Sequence, residues 1–116
     1  MREKKIFIDL IISVKEVEKS VKNAIDNINQ SHSAYKSQIL YLNYITLADC
    51  KQVINELDNY ITNFDYGNIE QDKIISMKTD KTLDVMMKRQ EMIAKILEKE
   101  FNETMKTLYE MLGNDN

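Results

Sequence analysis

The sequence predicts an all-α protein, a small antiparallel bundle of three long helices forming one domain over residues 1–116. Three observations carry that expectation. The chain has no Pro and only two Gly, Gly67 and Gly113, against roughly 5% and 7% in an average protein, so turns must be few and elements long. Apolar residues recur at alternating spacings of three and four, the period of a helix face. Clear polar breaks fall at only two places, near residues 29–33 and near 65–68. Sandwiches, barrels and alternating α/β folds need many more turns than this. With 43% hydrophobic and 30% charged residues, the chain is neither bulk-disordered nor too polar for a modest core.

The first helix is expected over 3–29. Phe7, Leu10, Val14, Val17, Val21, Ala24 and Ile28 form an unbroken heptad seam, while Lys15, Lys19 and Lys22 share the opposite face. Residues 6–14 are apolar almost all round, and Ile, Phe and Val would also suit a strand. With no second clear strand to pair with, helix is the better reading. Asn29-Gln30-Ser31-His32-Ser33 reads as a connection, with Ser31 or Ser33 as the next N-cap.

The second helix is expected over 34–65. Its first half, Ile39 to Ala48, is apolar on nearly every face, and its second half narrows to a stripe through Cys50, Val53, Ile54, Leu57, Tyr60, Ile61 and Phe64. A helix with this pattern belongs between neighbours. Gly67 then suits a left-handed C′ position, and Asn68 with Gln71 resembles a capping box.

The third segment, 69–112, carries Leu83, Met87, Ala94, Leu97, Phe101, Leu108 and Met111 on one seam, with Gln90 and Thr104 as polar interruptions. As one helix it would be about 65 Å long, against roughly 40 Å for the first. Either the surplus packs on another chain, or the helix breaks. Ser76 to Thr82 is poor in strong helix formers and rich in potential caps, so the expectation is a short connector helix at 69–77 and a main helix at 80–112. Residues 114–116 should fray.

Charge and cysteine narrow the function classes. Sixteen basic and nineteen acidic residues give a net charge of −3, unlike the cationic footprint of a nucleic-acid binder. The single Cys, Cys50, cannot make an intramolecular disulfide. Asp9 interrupts the N-terminal apolar run, and Lys15, Glu16, Glu18 and Lys19 follow without a small-residue cleavage site, so a cytoplasmic protein is expected.

No motif announces chemistry. His32 is the only histidine and falls in a turn, without the following Lys-Gly context of phosphotransfer bundles. Without a second His or Cys nearby, it is no metal ligand. Cys50 lies on the apolar side of the second helix and reads as core. Glu98, Glu100 and Glu103 could hold Mg²⁺ if Asp49, Glu56 and Asp58 faced them, but Lys95, Lys99 and Lys106 interleave the acids, so a solvated face of mixed sign is the default. The lysines at 15, 19 and 22 are balanced by Glu16, Glu18 and Asp26 and lack aromatic or Arg partners for bases.

What remains is contact surface. Six Tyr and seven Met are residue types enriched at interfaces. The apolar ring at 6–12 exceeds what one seam of a three-helix monomer can bury. The expectation is therefore a non-enzymatic, cofactor-free interaction module, meaning a small regulator, inhibitor, adaptor or complex subunit. It should self-associate as a homodimer, or bind a protein partner, through Ile6, Phe7, Leu10, Ile11, Val14, Tyr41 and Tyr44. No metal, membrane or small-molecule substrate is expected. The alternatives are a nucleic-acid-associated accessory factor and a metal-dependent all-α enzyme using the carboxylates of the third helix.

Overall fold

The computed structural model describes residues 4–65 and 68–113. It contains three helices: α1 (Lys4–Asn29), α2 (Lys36–Thr62) and α3 (Ile69–Gly113). Among the described residues there is no strand. The C′ role expected of Gly67 and the fraying expected at 114–116 lie outside the described residues.

Helix α2 is the middle element. It packs on α1 along one side and on α3 along another, while the α1 and α3 backbones nowhere approach within 8 Å, Cα to Cα. Both pairings are antiparallel: Phe7 meets Tyr60 and Phe64, and Met86 meets Cys50. The three rings of Phe7, Tyr60 and Phe64 pack with centroids 5.0 to 6.0 Å apart in tilted and edge-on geometry, which aromatic quadrupoles favour. Around them Ile11, Val14, Cys50, Val53, Leu57 and Met86 make the main core. A smaller cluster of Ile28, Ile39 and Ile93 closes the other end.

The seam of α1 runs differently from its sequence pattern. Phe7, Val14, Val21 and Ile28 are buried as expected, but Ile11 and Ile25 replace Leu10 and Ala24. Because α1 touches the backbone of α2 alone, its buried face turns toward that helix. Leu10, Val17 and Ala24 are left half-buried on its flank.

Neither serine caps α2. The helix begins at Lys36 after Tyr35, whose side chain makes no cap bond. The Ser33 hydroxyl instead accepts from the Tyr35 amide at 3.1 Å, a local turn that competes with the helix and delays its start. At α3, Asn68 does cap: its side-chain oxygen accepts from the Gln71 amide at 2.9 Å. The Asn68 amide donates to the Asp65 carbonyl at 3.0 Å.

The expected break at 76–82 is overturned. Helix α3 runs unbroken for 45 residues, about 67 Å at ~1.5 Å per residue. Tertiary contacts outweigh the weak propensity of the stretch. Thr79 is buried, Ile75 and Leu83 on either side pack against the core, and Lys78 pairs with Glu56 at 2.9 Å. That Lys78 hydrogen bond holds the Glu56 carboxyl below its ordinary range.

The result is an elongated molecule of 76 × 21 × 18 Å with a radius of gyration of 20.0 Å, against about 13 Å for a globular chain of this length. The bundle ends where Glu100 and Glu103 of α3 meet the α1–α2 turn at Ser33 and Tyr35. Residues 104–113 run on for roughly 15 Å past that turn.

Candidate interaction surface

Helix α3 has two apolar faces, and the bundle takes only one. The inward face carries Ile75, Thr79, Met86, Ile93 and Ile96, with Thr79, Met86 and Ile93 buried. Polar pairs fix this choice of face. Arg89 is paired closely with Asp49 of α2 in a half-buried setting, Lys78 with Glu56, and Glu100 with Ser33 and Ala34. The seam read from the sequence is therefore the other face. Leu83 still packs on the core, but Met87 and Phe101 are 63% and 64% exposed, and Leu97, Leu108 and Met111 are exposed as well.

That outer face is a continuous heptad stripe. Met87, Ala94, Phe101 and Leu108 alternate with Leu83, Gln90, Leu97, Thr104 and Met111 at spacings of three and four, the pattern of a coiled-coil seam. The exposed acids Asp84, Glu91 and Glu98 repeat every seventh residue along its edge. Its N-terminal half borders an open cleft, where α1 and α3 splay apart. One hollow of about 590 Å³ is lined by Val17, Thr46, Leu83, Met87, Gln90 and Ala94. A second of about 510 Å³ shares Val17 and Gln90 with it and extends along Ser13, Ser20 and Ala24 of α1. Its last part, from Thr104 on, lies on the overhanging end, where Leu108, Tyr109, Met111 and Leu112 are exposed.

The residues expected at an interface are divided by the fold. Of the residues read as partner contacts, Phe7, Ile11 and Val14 are buried in the chain's own core, and the half-buried Leu10 packs against it. The physical reason is that Tyr60 of α2 and Phe64, just past its end, supply rings that cover the front of α1. Ile6, Ile8 and Ile12 remain exposed on α1, and Tyr41 and Tyr44 on α2. These do not form one patch: Ile6 lies near the Phe7 end of the bundle and Tyr41 near the Ile39 end.

The candidate chemistry residues are placed as follows. His32 is exposed in the α1–α2 connection. Cys50 is buried, and its burial, with Glu18 and Asp49 nearby, pushes the thiol up to about 11. Glu100 and Glu103 grip the turn through Ser33 and the Tyr35 hydroxyl, the latter at 3.1 Å. Asp49 and Glu56 are engaged by Arg89 and Lys78, more than ten residues back along α3. Among the described residues, no group of three or more His, Cys, Asp or Glu is gathered as a metal site, and no helix is long and apolar enough to cross a membrane.

The fold and its surface define an open three-helix bundle with an uncovered heptad face. Comparison with known proteins adds no relative: no family model, curated protein or solved structure matches the chain.

Proposed function

We propose that this protein is a non-enzymatic interaction module, a small regulator, inhibitor, adaptor or complex subunit that binds protein in fixed stoichiometry through the outer stripe of α3. The observation that carries this reading is the stripe itself. Met87, Ala94, Leu97, Phe101, Leu108 and Met111 stand exposed along one face of α3, interrupted only by the polar Gln90 and Thr104, and the bundle itself leaves that face uncovered. A contiguous apolar surface of this extent is uncommon on a monomer without a binding role. Met at 87 and 111 and Phe at 101 are adaptable and aromatic contact groups of the kind enriched at interfaces.

The test compares wild type with a stripe variant carrying Leu97→Asp, Phe101→Asp and Leu108→Asp. Circular dichroism should show the helical content of the bundle retained, because the bundle core does not include these side chains. Wild type should associate with itself or another protein at micromolar concentration, and the variant with neither. A wild type that binds nothing, or a variant that binds as well as wild type, overturns the reading.

A further inference from the structure

Resting on the interaction-module reading, we infer that the stripe of α3 is covered by α3 of a second copy running antiparallel, so that each overhanging end lies along the other copy's α1–α3 cleft. Three features select this occupant.

The first is steric. The α1–α2 hairpin flanks α3 up to about Glu103, and of residues 104–113 only Met105 is half-buried, the rest being exposed. In a parallel pair both hairpins would crowd the same end, leaving two naked overhangs side by side. Centred antiparallel overlap sets each hairpin beside the other copy's overhang instead.

The second is register. Overlapping the stripe on itself places the two-fold axis beside Glu98 and Lys99. Heptad pairing then sets Leu97 against Phe101 of the second copy, Ala94 against Thr104 and Met87 against Met111. Large residues meet large ones and small ones meet small. Gln90, the polar interruption, meets Leu108 at the open cleft. Along the edge, Asp84 and Glu91 meet Leu112 and Met105 rather than other acids, and Glu98 alone faces its own counterpart. The interface is isologous and closes at two chains.

The third is area. Met87, Leu97, Phe101, Leu108, Met111 and Leu112 stand about half to two-thirds exposed, which leaves on the order of 600 Å² of apolar surface per copy, close to the roughly 800 Å² per partner of a stable interface.

Light scattering coupled to chromatography of the full chain at micromolar concentration should report two chains, and Phe101→Asp should weaken association on the order of 100-fold. Register is read by electron-electron distance spectroscopy on a spin label at Lys88→Cys, outside the stripe, since buried Cys50 resists labelling. Antiparallel pairing separates the two labels by about 35 Å, whereas parallel pairing brings them within roughly 20 Å. A monomeric wild type, a short label distance, or a dimer indifferent to Phe101→Asp overturns the inference. A monomer whose stripe captures a different protein overturns the second copy as occupant and leaves the module reading standing. A chain that binds nothing removes both.

Discussion

Glu100 holds Ser33: one carboxylate oxygen of α3 accepts from the Ser33 hydroxyl at 2.8 Å and from the adjoining Ala34 amide at 2.9 Å. This clamp ties the α1–α2 turn to the C-terminal third of a helix 67 positions away in sequence. It marks the point where α3 stops being part of the bundle. Beyond it, apart from Glu103 on Tyr35 and the half-buried Met105, α3 is exposed.

Removing that carboxylate tests the clamp. Glu100→Ala should lower unfolding free energy by about 1–2 kcal/mol, the scale of charge-assisted hydrogen bonds at a partly exposed site. Ser33→Ala should cost less, because the Ala34 bond survives. Urea titrations of both single variants and the double variant should give a non-zero coupling energy. Strict additivity would mean the two residues do not meet.

Asn43 offers a gain in stability. It is 1% exposed, and neither side-chain polar atom has a hydrogen-bond partner among the described residues. A buried amide without partners costs about 1–3 kcal/mol. Asn43→Leu should therefore raise the denaturation midpoint, by about 1–2 kcal/mol in stability. An unchanged or lowered midpoint would show that the amide is satisfied in solution.

The front of α1 separates folding from association. Phe7→Ala should cost about 3–4 kcal/mol, because it empties the ring cluster with Tyr60 and Phe64, and Phe7→Asp should unfold the chain. Ile12→Asp, on the exposed face, should stay within about 0.5 kcal/mol of wild type. Thermal melts followed by circular dichroism decide this. Equal losses at both positions would contradict the division of α1 into inner and outer faces.

Cys50 should behave as a sealed thiol. A neutral disulfide reagent at pH 8 should label it far more slowly in the native protein than in denaturant. The folded thiol, pushed up to about 11 from 9.0, keeps its proton to higher pH than the unfolded one. Its contribution to stability is thus complete below pH 9 and declines as pH rises toward 11. Urea midpoints between pH 8.5 and 10.5 should fall more steeply for wild type than for Cys50→Ala. Parallel slopes would mean that the thiol titrates normally.

Much of this architecture was legible from residue order. The absence of Pro, the scarcity of Gly and the three-four spacing give helices, and the nearly all-round apolar run at Ile39–Ala48 gives the middle position of α2. The Asn68 cap was visible as well. The N-cap of α2 was not, because Ser33 has the right chemistry but spends its hydroxyl on Glu100 and its own turn. Nor was the continuity of α3 at 76–82, since propensity is local while the packing of Ile75, Thr79 and Leu83 and the Lys78–Glu56 pair are not.

The candidate surface shows the same division. Every residue of the α3 stripe could be identified as a heptad seam from spacing alone, because periodicity depends only on the order of side chains along one helix. Which seam turns inward depends on distant residues. Asp49, Glu56 and Ser33 engage Arg89, Lys78 and Glu100 and so rotate the Met86–Ile93 face toward α2, leaving Phe101 and Leu97 outside. Order along the chain determined that α3 carries apolar faces; only the packing of three helices decided which one it keeps for itself, because a helix has room against one neighbour for one face.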